Sequence, residues 1–349
     1  MSVWARYRRR NWLNIWRCAM GDLVLGIETS CDDTSVALVD QNGQIAAIET
    51  VSQYEVHTEF GGVYPELASR AHLEAILPTI ETVMAQAGAG RLDLRAIGVT
   101  RGPGLMGSLL VGLSTAQALS MAWDLPCYGI NHLRGHIRSV DLEEKRLTYP
   151  ALVMLVSGGH TLLAYLQDQH SYELLGTTRD DSVGECYDKV ARTLGLGMPG
   201  GPAIDRIAAS GTARIKFPRP MIHSGYEFSF SGLKSSVARY VETHPEFVID
   251  DVAASFVDAC LDVLGAKLRR AIAQKRPASL AVVGGVAASR QLRAHMQQIS
   301  EETGVSLCLP PQKWATDNAA MIALATWDYI AQNAPQELDP KPNLSLVDA

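Results

Sequence analysis

Apolar and polar residues follow one another along this 349-residue chain in two successive series that have the same order. In each series, short apolar runs of strand length are bounded by small polar or glycine-containing turns, and longer stretches with helical spacing follow them. The first series predicts strands at residues 23–28, 35–39, 44–51 and 95–100, and helices at residues 65–87 and from residue 105 onward. Pro78 is expected to interrupt the first of these helices.

The second series repeats this plan. It predicts strands at residues 151–156, 161–166, 172–176 and 279–283, and helices at residues 184–194, 247–275 and 289–303. A short strand at residues 305–309 and a closing helix at about residues 317–332 follow. The recurrence of the order β-β-β-α-β-α supports the assignment more than any single segment does, and it indicates a duplicated α/β fold.

Two α/β units of this kind are expected to pack face to face as two lobes with a central cleft. Ligands would bind where the strands end in their Gly-rich turns. We assign residues 1–21 to a basic N-terminal extension, residues 22–149 to lobe I, residues 150–309 to lobe II and residues 336–349 to a C-terminal tail. The closing helix, within about residues 310–335, is expected to complete lobe I.

The composition fits well-packed globular lobes, since 47% of the residues are apolar and 19% are charged. The longest apolar stretch, residues 105–123, is interrupted by glycines and serines, which indicates a helix buried in protein rather than a membrane span. The six cysteines are scattered and form no Cys-x-x-Cys pair, as is typical of a protein in a reducing compartment. We therefore expect a cytoplasmic protein without a membrane partner.

The first 19 residues carry five arginines, three tryptophans and no acid. They contain neither the apolar core nor the cleavage site of a secretory signal. An amphipathic basic anchor is one interpretation. We favour the simpler one, in which Met20 is the effective start.

A basic stretch at residues 206–241 stands out from a chain whose net charge is −6. Its basic residues are Arg206, Arg214, Lys216, Arg219, Lys234 and Arg239. Four aromatic residues are interleaved with them, namely Tyr226, Phe228, Phe230 and Tyr240. Such a stretch could follow a phosphate backbone and stack on exposed bases. An ordinary solvated face is the commoner explanation.

His132 and His136 are four residues apart, so on a helix they share one face. Two imidazoles on adjacent turns make half of a metal site, although chance spacing on a surface is an alternative. Leu133 occupies the place where a zincin peptidase needs a glutamate as general base, which argues against that class. Asp317 is the best candidate for an acidic partner, and its alternative role is the N-cap of the closing helix.

Small polar or Gly-rich turns follow predicted strands at residues 28–34, 156–161 and 283–289. Glycine lets backbone N–H groups approach an anion closely, so three such turns predict a phosphate or nucleotide ligand. Asp188 could accept hydrogen bonds from the hydroxyls of a ribose or a substrate, although the residue by itself favours the alternative. A solvent-exposed helix acid is the alternative interpretation of this residue.

Ten segments of the chain, in the same order, resemble the tRNA N6-adenosine threonylcarbamoyltransferase family, the catalytic subunits of t6A synthesis. They are GIETSCDDTSVAL, GGVYPELASRAH, TRGPGLMGSLLVG, NHLRGH, LVSGGHT, GECYDKVARTLGL, PGGPAID, FSFSGLK, AVVGGVAAS and ATDNAAMIA. The resemblance covers about residues 23–329. It implies the two-lobed actin/hexokinase/Hsp70-like (ASKHA, ribonuclease H-like) α/β fold, in agreement with the duplicated pattern.

The resemblance also implies an acyltransferase. Its reaction would move the threonylcarbamoyl group from threonylcarbamoyl-AMP to N6 of adenosine-37 in tRNAs reading ANN codons, forming t6A and releasing AMP. An ATP-dependent small-molecule kinase of the same fold and a metallopeptidase are the alternatives. The implied partners are tRNA, a paralogous non-catalytic subunit of the same fold and a small ATPase.

By the same resemblance, His132, His136 and Asp317 hold one divalent metal ion per subunit, and this ligand set suits Fe²⁺ and Zn²⁺ equally. The implied substrate-binding residues are Leu155, Val156, Ser157, Gly158, Gly159, Asp188, Gly201, Asp205 and Ser289. Of these, Ser289 follows the Gly284–Gly285 turn that would hold the adenosine part. No residue is assigned as the catalytic base.

Three positions depart from the pattern of the family. Ser289 replaces the usual asparagine and has less hydrogen-bonding reach, and Asp33 is shorter than the usual glutamate. Arg134 stands where the family usually has a glutamate between the two histidines. The side chains around the metal ligands are therefore expected to differ from those of the family.

Overall fold

The computed structural model describes residues 22–58, 62–144, 146–197, 199–334 and 336–348. The basic extension assigned to residues 1–21 lies outside the described residues.

Lobe I is built on a five-stranded sheet whose strand order is β3-β2-β1-β4-β5. The strands are β1 (Leu23–Glu28), β2 (Asp33–Asp40), β3 (Ile45–Ser52), β4 (Leu94–Gly102) and β5 (Cys127–Asn131). β2 is antiparallel to both of its neighbours, whereas β1, β4 and β5 are parallel. The carboxyl ends of β1, β4 and β5 therefore lie at one edge of this sheet.

Lobe II repeats this topology with the order β10-β9-β6-β7-β8. Its strands are β6 (Ala151–Val156), β7 (Thr161–Leu166), β8 (Tyr172–Thr177), β9 (Ser279–Val283) and β10 (Ser306–Cys308). β7 is antiparallel to both neighbours, and β6, β9 and β10 are parallel. The two sheets thus share strand order and direction, and the predicted duplication is confirmed.

Helices cover both faces of the lobe I sheet. The ten α-helices of the described residues are α1 (Tyr54–Thr58), α2 (Pro65–Ala87), α3 (Met106–Trp123), α4 (His132–Arg138), α5 (Val183–Thr193), α6 (Gly200–Ala208), α7 (Ser231–Thr243), α8 (Ile249–Lys275), α9 (Arg290–Thr303) and α10 (Ala319–Ala331). α2 and α3 pack on one face of the sheet, and α10 packs on the other. None of the described helices is long and apolar enough to cross a membrane.

α4 lies between the two lobes. It begins directly after β5, and its apolar residues Leu133 and Ile137 pack with Val153 and Leu155 of β6. Because α4 is anchored on lobe I and buried against lobe II, its polar face is positioned at the junction of the two sheets.

Two features of the helices differ from the sequence prediction. α2 continues through Pro78, because Ile76 and Ile80 on either side are buried against the sheet and hold the helix in place. The pattern of the chain predicts neither α6 nor α7. At α6, the glycines and prolines of residues 199–202 are typical of a turn. At α7, only Leu233 and Val237 are buried, so its apolar spacing is weak.

α10 approaches the lobe I sheet so closely that the strands need glycine. A Cβ atom on Gly26 would lie 2.3 Å from the main-chain oxygen of Ala319, and one on Gly98 would lie 1.8 Å from Thr326 Oγ1. Such distances cannot occur without displacing the helix.

Gly26→Ala is therefore expected to lower the free energy of unfolding by about 1–3 kcal/mol, as overpacked core substitutions do. The measurement is urea denaturation followed by circular dichroism. Gly232→Ala in α7 is the matched control, because its Cβ would have none of the described atoms within 4 Å. This second change should raise the free energy of unfolding by up to about 1 kcal/mol, and equal effects of the two substitutions would contradict the packing argument.

Candidate active site

The end of β5 places both predicted metal-binding histidines at the edge of the lobe I sheet. The side chain of Asn131 caps α4 by accepting a hydrogen bond from the amide of Leu133 (3.0 Å). His132 and His136 lie one turn apart, and their ring centroids are 4.6 Å apart. Asp317 Oδ1 lies 3.5 Å from His132 Nε2 and 3.0 Å from His136 Nε2. The structure brings these three side chains together.

Asp317 lies just before α10, but it does not cap that helix. Asn318 does so, since its side-chain oxygen accepts a hydrogen bond from the amide of Met321 (3.0 Å). The alternative interpretation of Asp317 as the N-cap is therefore wrong. Its carboxylate faces the two histidines instead.

These three side chains fit a divalent metal ion. His136 is fully buried, and its Nδ1 has no hydrogen-bond partner among the described residues, while its Nε2 faces Asp317 without hydrogen-bond geometry. One donor atom from each of the three residues lies within 4.8 Å of the other two. The ring nitrogens of a buried histidine are normally hydrogen-bonded. Because those of His136 have no such bond to a described residue, this residue fits the role of a metal ligand better than that of an ordinary core histidine. Two imidazoles and a carboxylate suit zinc and ferrous iron.

Glu28, at the end of β1, supports the first of the two histidines. Its Oε2 lies 2.9 Å from His132 Nδ1 and accepts a hydrogen bond from Thr100 Oγ1 (2.5 Å). Its Oε1 accepts a hydrogen bond from the amide of Ser30 (2.5 Å). A carboxylate bound to the outer nitrogen of a ligating histidine fixes the tautomer and the orientation of the ring. Glu28 was not predicted as a site residue, although it is the only charged residue of the apolar strand β1.

The charges of this cluster shift one another's pKa values. Burial by itself would favour neutral groups, but the carboxylates of Glu28 and Asp317 raise the pKa of His132 well above its ordinary value. In return, the neighbouring histidines hold the pKa of Asp317 well below its ordinary value against the effect of burial. The ligand site is thus a place where positive charge is strongly favoured.

Leu133 and Arg134, which lie between the histidines, supply no base. Leu133 is buried against lobe II, so a peptidase base is not present at that position. Arg134 donates to the main-chain oxygens of Leu346 and Asp348 rather than to a metal ligand. The carboxylate support of the site comes from Glu28.

A cavity of about 1550 Å³ lies between the lobes in front of this cluster. Lobe I contributes Ser30, Asp33 and His132 to its lining. From lobe II and the segment before α10 come the predicted site residues Ser157, Gly158, Gly159, Asp188, Gly201, Asp205, Ser289 and Asp317. Leu155 and Val156 are fully buried in β6 behind the turn, and His136 is buried behind His132. The two kinds of predicted site therefore share one cleft.

The turn after β6 faces this cleft. It is closed by a hydrogen bond from the amide of Ser157 to the oxygen of His160 (2.8 Å). The hydroxyl of Ser182, the N-cap of α5, donates to the oxygen of Gly158 (2.5 Å). A Cβ on Gly158 or Gly159 would have none of the described atoms within 4 Å, so the space in front of the turn is open. A glycine turn beside a helix N-terminus can bind an anion.

Comparison with known proteins identifies the family. The sequence model described as tRNA N6-adenosine threonylcarbamoyltransferase matches residues 44–324. Relatives of that name are 45% identical in Staphylococcus haemolyticus, over 91% of this chain and 94% of theirs, and 46% identical in Bacillus subtilis, over 86% and 89%. The chain belongs to the tRNA N6-adenosine threonylcarbamoyltransferase family. The resemblance stated from the ten sequence segments is confirmed, and the kinase and metallopeptidase alternatives are not favoured.

Solved structures agree on the fold of this threonylcarbamoyltransferase family member. HypF from T. kodakarensis superposes with a TM-score of 0.62 at 16% identity, over 92% of this chain and 49% of that protein. An activator of the 2-hydroxyisocaproyl-CoA dehydratase from Clostridium difficile gives a TM-score of 0.53 at 16% identity, over 89% and 96% of the two chains. The predicted two-lobed ASKHA-type fold is confirmed.

Two of the predicted substrate-binding residues in this threonylcarbamoyltransferase family member accept hydrogen bonds from main-chain amides of lobe II. Asp188 Oδ1 accepts the amide of Gly200 at the start of α6 (3.0 Å), and burial raises the pKa of Asp188. Ser289 caps α9 by accepting the amide of Leu292 (3.2 Å), and burial raises the pKa of Asp205 on the same wall. Asp188 and Ser289 are thus fixed at the cleft wall by the main chain of the helices that follow them.

Two further residues of the cleft were not assigned a role from the sequence. Asp33 lines the cavity with one buried carboxylate oxygen that has no hydrogen-bond partner among the described residues, and burial raises its pKa to about 6. His160 closes the turn after β6, and burial together with the nearby His132 and His136 lowers its pKa to about 4. His160 is therefore neutral at physiological pH.

The basic stretch at residues 206–241 does not present its aromatic residues to solvent as a stacking surface. Phe228 and Phe230 are fully buried in the lobe II core, so the hypothesis that they stack on bases is wrong. Arg219 and Lys234 pair with acidic side chains: Arg219 with Asp258 and Asp262, and Lys234 with Asp181 (2.6 Å). The alternation of aromatic and basic residues reflects one buried and one solvated side.

Proposed function

We propose that this chain transfers the threonylcarbamoyl group of threonylcarbamoyl-AMP to N6 of adenosine-37 in tRNAs reading ANN codons, with AMP as the second product. One observation carries the proposal: the metal-ligand cluster and the open glycine turn line the same cleft from the two lobes. A mixed anhydride has a carbonyl group and a phosphate close together, so it needs both kinds of contact within one cavity.

His132, His136 and Asp317 would hold one divalent ion, Fe²⁺ or Zn²⁺, and Glu28 would orient His132. When bound, such an ion supplies a Lewis acid with open coordination positions for substrate oxygens. The protein's own contribution is to keep these side chains fixed before substrate arrives. The burial of Glu28 and His136 supports this role.

Lobe II would bind the AMP part. The main chain of Ser157, Gly158 and Gly159 faces open space at the N-terminal end of α5, which suits the phosphate. Asp188 and Asp205 would accept hydrogen bonds from hydroxyl groups of the substrate. Further contacts are assigned to Gly201 and Ser289 on the same wall, and Leu155 and Val156 support the turn from behind.

In the reaction, N6 of adenosine attacks the carbamoyl carbon and forms a C–N bond. The bond between that carbon and the phosphate oxygen breaks, AMP leaves with its electron pair, and the attacking amine loses a proton. An exocyclic adenine amine is a weak nucleophile, so the residues of this cleft act mainly by positioning the two substrates. We assign no residue as the base.

The partners we propose are tRNA, a paralogous non-catalytic subunit of the same fold and a small ATPase. α2 and α3 pack against each other, with Ser69 of α2 beside Gly107 of α3. Each of the two helices also exposes two large apolar side chains, which are Leu73 and Leu77 on α2 and Met106 and Leu110 on α3. An exposed apolar helix pair is typical of a subunit interface, and the equivalent pair of a related subunit would match it. We place the reaction in the cytoplasm, where tRNA is modified, without a membrane partner.

The deciding experiment incubates the purified chain with threonylcarbamoyl-AMP, unmodified tRNA and the proposed partner proteins, followed by mass spectrometry of the nucleosides. We expect one t6A per tRNA reading an ANN codon and an equal amount of AMP. A tRNA with guanosine at position 37 is the matched control and should stay unmodified. Absence of t6A with all components present would refute the proposal, and production of ADP from ATP with a small acceptor would favour the kinase alternative.

A further inference from the structure

Arg134, between the two metal-binding histidines, joins three parts of the molecule. Its Nε donates to the main-chain oxygen of Leu346 (3.2 Å), and its Nη2 donates to that of Asp348 (3.1 Å). Its guanidinium carbon lies 4.7 Å from the centre of the Tyr172 ring in β8 of lobe II. Arg134 therefore ties α4 to lobe II and to residues 336–348, which we call the tail segment.

The tail segment also holds the cap of α4. The side chain of Asn131 is fully buried, and its Nδ2 donates to the oxygen of Ser345 (2.7 Å) while its Oδ1 accepts the amide of Leu133. Because the oxygen of Ser345 accepts from Nδ2 of Asn131, Oδ1 of Asn131 is the atom that faces the helix. The residue that starts the metal-binding helix depends on a main-chain oxygen of the tail segment.

Apolar contacts continue the attachment. Leu346 is 1% exposed and packs in the same cluster as Leu133 and Ile137 of α4. Earlier in the tail segment, Leu344 is buried beside Gly102, and the amide of Lys341 donates to the oxygen of Arg101 (2.7 Å). The tail segment thus runs from the end of β4 to α4 and is packed along this path.

α4 has only seven residues, too few for a helix to be stable by itself. Its position must therefore come from contacts with the rest of the molecule. A displacement of the order of 1 Å is enough to spoil a site that needs convergent ligands. The contacts of the tail segment lie on the two residues that flank His132 and on Arg134, so they act on the turn that carries the first ligand.

We propose that the tail segment is a positioning element for the metal site and that Arg134 is its main positioning residue. The tail segment holds the first turn of α4 so that His132 and His136 face Asp317. This inference rests on the metal site described under the proposed function.

The test compares the full chain with Arg134→Ala and with a chain that ends at Leu344. The probe is Zn²⁺ alone, titrated into metal-free protein in competition with a chromophoric chelator. Both variants should bind Zn²⁺ about tenfold more weakly, the low end of the effect of lost support around metal ligands. Arg134→Lys, which keeps one charged donor, should recover part of the affinity.

Arg270→Ala is the matched control. Arg270 also donates to two main-chain oxygens, those of Ile222 and Gly225, but it lies on α8 in lobe II. Its loss should leave the Zn²⁺ affinity unchanged. If Arg270→Ala weakens Zn²⁺ binding as much as Arg134→Ala does, the effect is one of general stability and the proposal is wrong.

Reciprocal coupling provides a second measurement. If the tail segment strengthens metal binding, then metal binding must strengthen attachment of the tail segment to the same degree. Zn²⁺ should therefore slow hydrogen exchange of the amides of Val347 and Asp348 in the full chain but not in Arg134→Ala. Unchanged Zn²⁺ affinity in both variants, with only a lower melting temperature, would overturn the proposal. A full chain that binds no Zn²⁺ would refute the metal site itself and this inference with it.

Discussion

His136→Ala is expected to abolish stoichiometric metal binding and to lower the rate of t6A formation by at least about 100-fold, since changes around metal ligands alone cost about 10–100-fold. The substitution removes a fully buried ligand and leaves only His132 and Asp317, with a cavity where the imidazole was. Metal content is measured by elemental analysis after gel filtration. The initial rate is measured with threonylcarbamoyl-AMP and unmodified tRNA.

His170→Ala is the control for this substitution. His170 is exposed, and its Nδ1 lies 2.8 Å from Gln332 Nε2, away from the cleft. This variant should keep both metal and activity, and circular dichroism should show that both variants are folded. If His136→Ala retains one equivalent of metal, the ligand assignment is wrong; if it loses the metal and keeps its activity, the metal has no part in the reaction.

The sequence predicts those parts of the molecule that depend on local pattern. Strand-length apolar runs and helical spacing repeat in one order, and the two sheets show the same order of strands. The spacing of His132 and His136 defines a helix face whatever the fold. The Gly-rich turn after residues 151–156 was expected at a strand end, and the structure places Gly158 and Gly159 there beside the cleft.

Contacts between distant segments could not be predicted in this way. Glu28 meets His132 across 104 residues because β1 and β5 end at the same edge of the sheet, a consequence of strand order that no local pattern contains. Arg134 finds its acceptors 212 and 214 residues later, in the tail segment, and this contact too is contained in no local pattern. Asp317 and Asn318 are adjacent, and either side chain could cap α10. Only the structure shows that Asn318 is the cap and that Asp317 faces the histidines.

The duplicated fold explains why the two halves of the site differ in chemistry. β1 and β6 occupy equivalent central places in the two sheets, and a turn toward the cleft follows each of them. In lobe I, β1 ends in Glu28, whose carboxylate lies against His132, one of the proposed metal ligands. In lobe II, the equivalent turn consists of small residues around Gly158 that leave room for an anion. One architecture thus places side chains suited to a cation and a turn suited to an anion on facing walls.

Glu28→Gln is expected to weaken metal binding by about 10–100-fold while keeping one equivalent at saturating metal. The glutamine has the same shape but lacks the charge that opposes His132, and its amide nitrogen must face either the amide of Ser30 or the hydroxyl of Thr100, both of which donate to Glu28. The ring of His132 therefore keeps at most an uncharged acceptor in place of the carboxylate that fixes its orientation. The dissociation constant for Zn²⁺ is measured by competition with a chromophoric chelator.

Glu49→Gln provides the matched control, because Glu49 lies on the same sheet in β3 and its carboxylate accepts a hydrogen bond from Gln86 (3.2 Å) at the surface. Its affinity for Zn²⁺ should equal that of the unchanged chain. The decisive comparison is with His136→Ala. That variant lacks a metal ligand and should bind fewer ions per chain, whereas Glu28→Gln should bind the same number of ions with lower affinity. Equal Zn²⁺ affinity in Glu28→Gln and Glu49→Gln would show that Glu28 does not support the site.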